Sequence, residues 1–196
     1  MNTSKQMIEC NTRVGTLIQS EVLKKLLICL GFAALTGISA QIKWYVPGNP
    51  IPFTMQTAAV ALSALSLKRW AGMSQLFYVV LGVLGVPWFS NQAGGLSFLL
   101  LPSAGYLIGF IFTAFIGGWF VEKYYTKLHV FTFLPLTLIN VLFVHGFGML
   151  YLNTWMIVSH QPNVSFAMLF IKGSLPFLWY DLGKILLVTG LYPVKE

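Results

Sequence analysis

The chain has 196 residues, of which 57% are hydrophobic and 9% charged, with a formal net charge of +7. A soluble domain carries roughly a quarter charged residues to keep its surface wet, so this composition excludes one, and the outer surface must face lipid. The twelve basic residues sit singly or in pairs between apolar runs, which excludes a nucleic-acid-binding patch and reads as a topology signal instead.

In chain order, residues 1–25 are polar and form a cytoplasmic tail, and 26–196 form an all-α membrane domain, a six-transmembrane-helix bundle. The first span covers about 26–45. A secretory signal centred on 26–38 is the rival reading, disfavoured by the further spans and by a poor cleavage site at 37–39. Pro47, Gly48, Asn49, Pro50 and Pro52 then make a rigid, non-helical loop, since proline fixes φ and removes a backbone donor. The second span covers 53–67. Its length of about 15 residues, or ~22 Å, falls short of a hydrocarbon core ~30 Å thick. A third span covers 71–86 and stops at Pro87, and a loop with Asn91, Gln92, Gly94 and Gly95 follows. The fourth runs over 102–121 and the fifth over 130–154. A polar loop containing His160, Gln161, Pro162 and Asn163 leads to the sixth, over 174–192.

Nine basic residues fall on one side of this arrangement: Lys5, Arg13, Lys24, Lys25, Lys68, Arg69, Lys123, Lys127 and Lys195. Lys43 and Lys172 fall on the other. The positive-inside rule then places both termini in the cytoplasm. The loops rich in proline, glycine and asparagine lie outside, as the lid of an outward-opening site.

Asp181 is the one acidic residue within a span, about eight residues in, and Lys184 is three residues on. Positions i and i+3 share a helix face, and a charge at mid-membrane costs at least ~2.5–3.5 kcal/mol. The pair is either a structural ion pair that pins the sixth helix or a polar ligand site with one acceptor and one cationic donor. The second reading is preferred, because a bundle this apolar can pack a helix without any charge. Gln56 starts the second span near the same outer half. Gln75 lies towards the cytoplasmic end. Asn140, within the fifth span, reads as an interhelical hydrogen-bonding residue. Tyr78, Tyr106, Tyr151 and Trp155 read first as interfacial anchors. His129, His145 and His160 have no metal-ligand spacing, and Cys10 and Cys29 lie at different depths, so neither a metal site nor a disulfide is expected. In the first span, Ala33 with Gly37 and Thr36 with Ala40 form a small-residue stripe. Such a stripe lets another helix approach closely, either within the bundle or on a separate membrane subunit.

The stretch Ile51-Pro52-Phe53-Thr54-Met55-Gln56-Thr57 resembles the P-F-T-x-Q-T segment of BioY proteins, the biotin-specific S components of energy-coupling-factor transporters. Tyr78, Gly82, Gly85, Pro87 and Phe89 resemble a second family motif. Gly94-Gly95 leading into Pro102-Ser103-Ala104-Gly105-Tyr106-Leu107 resembles a third, and Pro176-Phe177 with Asp181 and Lys184 a fourth. The resemblance spans about residues 26–192. It implies a biotin site near the outer surface with no chemistry on the substrate. Asp181 and Lys184 would carry the polar contacts, because the ureido ring of biotin offers two N–H donors and one carbonyl acceptor. Asn91, Gln56, Phe89 and Tyr106 would complete the site with the Gly94–Gly95 loop. The resemblance also implies that the first-span stripe docks an energising module, a membrane T component plus two ATPases, unless the chain works alone. The chain has no G-x4-GK[ST] phosphate-binding loop of its own. No cofactor is expected. An intramembrane enzyme or an S component for another vitamin are the competing functions; the first lacks a nucleophile with a base in reach.

Overall fold

A computed structural model of the protein describes residues 3–45, 51–124, 129–159 and 165–193, with only the backbone described at 3–19, 129–131, 166, 169, 172 and 173. The centre of the proline loop (46–50), Lys127, the polar segment 160–163 and Lys195 lie outside the described residues.

Helix α1 (Thr3–Gln41) runs the first span back through the polar N-terminal residues. It ends four residues before the expected boundary, because Lys43–Trp44 leave the helix as strand β1. This strand pairs antiparallel with β2 (Phe53–Thr54), Lys43 opposite Thr54 and Trp44 opposite Phe53. Pro52 stands just before β2, outside the paired residues, where the backbone donor it lacks is not needed.

Helix α2 (Gln56–Leu67) has 12 residues, about 18 Å long. It is short because it is central. Nine of its residues are buried, and most are small, including Ala58, Ala59, Ala61, Ser63 and Ala64, so neighbouring helices can close in from all sides. Lys68 ends it with a φ of +56°, and a single 3₁₀ turn (Lys68–Trp70) reverses the chain into α3 (Ala71–Val83). Helix α4 (Ala104–Tyr124) crosses this corner. Its Gly118 packs against the Lys68 carbonyl so closely that a Cβ has no room.

Helices α5 (His129–Asn140) and α6 (Gly146–Val158) are joined without a break by a π-helical turn over Val141–His145. A short helix, α7 (Phe166–Gly173), begins at Ser165, whose hydroxyl caps the Met168 amide. It occupies part of what the sequence reads as loop. Helix α8 (Leu175–Leu191) ends the fold. Among the described residues, three stretches are long and apolar enough to cross a bilayer by length and composition: Ser20–Gln41, Ala104–Tyr124 and Thr132–Val158.

The small-residue stripe of α1 is used inside the molecule. Ala33, Thr36 and Ala40 are buried. The Thr36 hydroxyl accepts from Gln75 Nε2 of α3 at 3.1 Å. At Gly37 a Cβ would stand 2.8 Å from the Trp88 side chain. Of the two partners the stripe allows, the structure seats α3 and the loop after it there, and the four residues are not on the surface.

Candidate functional site

Two ends of the molecule differ in construction. One carries the corner at Lys68–Trp70, where Arg69 Nε bonds Glu122 Oε2 at 2.6 Å. The other carries the hairpin and the long α3–α4 connection. That connection is tied to α1 by Gln41, whose Nε2 donates to the carbonyls of Trp88 and Phe89 at 3.2 and 2.9 Å. Below this lid lies a cavity enclosed by the helices. Phe98, Leu107, Phe110, Val144 and Phe177 give it apolar walls, and Thr57, Tyr106, His145, Asp181 and Lys184 are among its polar ones.

Asp181 and Lys184 are 4% and 8% exposed. Their i, i+3 spacing on α8 puts Lys184 Nζ 2.9 Å from Asp181 Oδ1. Oδ1 also accepts from the Thr57 hydroxyl at 2.7 Å. Oδ2 accepts from Asn140 Nδ2 at 3.1 Å and from His145 Nε2 at 3.2 Å. The remaining Lys184 donors go to the Thr54 carbonyl at 2.7 Å and Thr57 Oγ1 at 3.2 Å. Every hydrogen of the ammonium and both carboxylate oxygens are therefore engaged, which is what a charge pair needs to survive without water. Trp44 of the hairpin lies over the pair, with Lys184 Nζ 5.9 Å from its ring centroid.

The π turn makes this convergence possible. In a regular α-helix, residues five apart point about 140° away from each other. A π turn holds an extra residue and brings residues i and i+5 back towards one face. Asn140 and His145 both reach the same carboxylate oxygen for that reason.

The other expected site residues divide. Gln56 and Tyr106 line the cavity. Gln56 is held by the Tyr78 hydroxyl, to which Nε2 donates at 2.8 Å, and by the Thr54 hydroxyl, which donates to Oε1 at 2.8 Å. Tyr106 stands beside Phe177 and His145. Phe89 is fully buried behind the wall, with its ring 5.3 Å from Tyr78 and 4.3 Å from Phe98. It fills the space left by Gly82, where a Cβ would strike the Phe89 ring. Asn91 is exposed on the rim, and its Oδ1 accepts from Lys43 and from the Tyr45 hydroxyl. Gly94 and Gly95 shape the loop. Gly95 has a φ of +86° and donates its amide to the Gly82 carbonyl at 2.8 Å. Phe89, Asn91, Gly94 and Gly95 are not among the cavity-lining residues.

Thr57 and His145 are the contributors that sequence reasoning passed over. Thr57 closes the P-F-T-x-Q-T segment, one residue beyond Gln56, and that segment was the available signal. His145 carried no signal, because its position depends on the π turn. Among the described residues no group of three His, Cys, Asp or Glu could hold a metal.

The fold and the site define an integral membrane protein of packed helices that encloses a polar charge pair beneath a loop lid. The chain belongs to the BioY family, whose model matches residues 6–195. It is 34% identical over 159 residues to the biotin transporter BioY of Thermotoga maritima, covering 81% of this chain and 87% of that one. It is 31% identical over 183 residues to the probable biotin transporter BioY of Lysinibacillus sphaericus, covering 90% of each. The crystal structure of the S component for biotin from an ECF-type ABC transporter has the same fold. Its TM-score is 0.75 at 23% identity, over 88% of this chain and 90% of that one.

Proposed function

We propose that this chain captures biotin and serves as the substrate-binding membrane subunit of a biotin uptake system, with no chemical change to the substrate. Membership of the BioY family and the named relatives support this reading. The single structural observation that carries it is the buried Asp181–Lys184 pair on the wall of the cavity below the hairpin.

In this reading the chain is a multi-pass protein of the cell membrane. The bundle has six spans, α5 and α6 forming one of them, and both termini are cytoplasmic. The hairpin end then faces outward. The opposite end, with Lys25, Lys68, Arg69 and Lys123, faces the cytoplasm, in accord with the positive-inside rule. An energising module of a membrane T component and two ATPases drives release, or the chain works alone.

The test is equilibrium binding of labelled biotin to the purified chain in lipid nanodiscs, with unlabelled riboflavin and thiamine as competitors. The expected result is saturable binding displaced by biotin and by neither competitor. Absence of saturable biotin binding, or displacement of labelled biotin by riboflavin or thiamine, would overturn the assignment.

A further inference from the structure

Asp181 and Lys184 have no hydrogen-bonding capacity left on the protein side. The ammonium gives all three donors to Thr54, Thr57 and Asp181, and the carboxylate accepts from four groups. Among the described cavity-lining residues, two buried side-chain atoms have no partner: His145 Nδ1 and Ser90 Oγ. The imidazole is 4% exposed, so water does not satisfy it by default.

The state of that ring follows from its neighbours. An ionised carboxylate can only accept, so the Nε2 facing Asp181 Oδ2 carries the proton. Lys184 already balances the Asp181 charge, and a second cation in so enclosed a place has no counter-ion. With Nε2 donating to Asp181, Nδ1 of the neutral ring is a bare acceptor. Because His145 lines the cavity, a donor arriving there can satisfy it.

We infer that His145 Nδ1 is the acceptor for a ureido N–H of the ligand, with Asp181 as the positioning residue that fixes the ring's tautomer from behind. This inference rests on the biotin reading. A cyclic urea suits the vacancy, because its N–H groups are donors that a carboxylate tail or a thioether cannot replace. Binding therefore leaves the internal pair intact. The ligand completes the outermost unfilled position of a chain that runs from Lys184 through Asp181 to His145. Specificity for a urea N–H follows from the cost of leaving a buried acceptor unmatched.

Three chains are compared in nanodiscs: wild type, His145→Phe, which keeps a ring and removes both nitrogens, and His145→Gln, which restores one donor and one acceptor. Two probes are used, biotin and a biotin analogue methylated on a ureido nitrogen. Loss of one hydrogen bond to a buried acceptor corresponds to about tenfold in affinity. The expected result is that His145→Phe binds biotin about tenfold more weakly, that His145→Gln recovers part of the loss, and that wild type loses more than His145→Phe when the nitrogen is methylated. Isotope-edited nitrogen NMR of the wild type should show the His145 Nδ1 signal, identified by its absence in His145→Gln, shifting on saturation with biotin. This last readout needs no fold in the phenylalanine variant. Biotin binding with an unmoved Nδ1 signal, or unchanged affinity in His145→Phe, would overturn the acceptor role and leave the biotin reading standing. No biotin binding by the wild type would overturn both.

Discussion

Two ion pairs in this protein use the same chemistry in opposite surroundings. Arg69 and Glu122 meet at 2.6 Å at a helix corner, with side chains 65% and 29% exposed. Asp181 and Lys184 meet at 2.9 Å with side chains 5% and 8% exposed. The shorter contact is the weaker one in consequence, because water and salt screen it. The longer contact stands among apolar walls, and the removal of either partner strands a charge. Distance alone therefore ranks the two pairs wrongly, and burial and the number of donors rank them correctly.

The largest expected effect comes from breaking the buried pair. Asp181→Asn and Lys184→Ala should each weaken biotin binding more than tenfold and lower stability by about 3–5 kcal/mol, read by equilibrium binding and by unfolding of the purified chain. The double variant Asp181→Leu/Lys184→Met should be more stable than either single variant yet still fail to bind. Equal stability of all three would show that the charges are not coupled. Thr57→Val removes the hydroxyl that serves both charges. It should cost about 1–3 kcal/mol of stability, with a smaller loss of binding than at Asp181. Trp44→Ala uncovers the Lys184 ammonium at the lid and should speed biotin release severalfold in a chase experiment, with little change in stability. Arg69→Ala, at the exposed pair, should leave biotin affinity unchanged. An effect there as large as at Lys184 would erase the contrast.

The Asp181–Lys184 pair was legible in the sequence because two charges at i and i+3 stand out in an apolar helix. The other donors were not, for reasons that differ by residue. Thr57 is an ordinary residue on a helix, and its role depends on α2 lying against α8. Asn140 reads as a helix-packing residue, and its bond to Asp181 needs the facing helix. The α1 stripe told that something comes close but not which element, since small residues at four-residue spacing suit an internal neighbour as well as a foreign one. Asn91 was expected in the site on its place in the loop. Its left-handed backbone, φ +65°, turns the loop and leaves its side chain with Lys43 and Tyr45. Asparagine tolerates that conformation better than most residues, which accounts for its presence there. Helix α7 was missed because its eight residues are too few to show a convincing period.

The turn over Val141–His145 has a consequence for how this segment can vary. Leu142 within it is 67% exposed, so exchanging it for another lipophilic residue changes little. The count of residues between Asn140 and His145 is another matter. A one-residue deletion there would turn the i, i+5 pair into i, i+4, which a regular α-helix already holds about 40° apart, so His145 would stay on the Asp181 side, whereas a further inserted residue would swing it away by about 100°. The segment is thus permissive to substitution and to loss of its extra residue, and intolerant of gaining another.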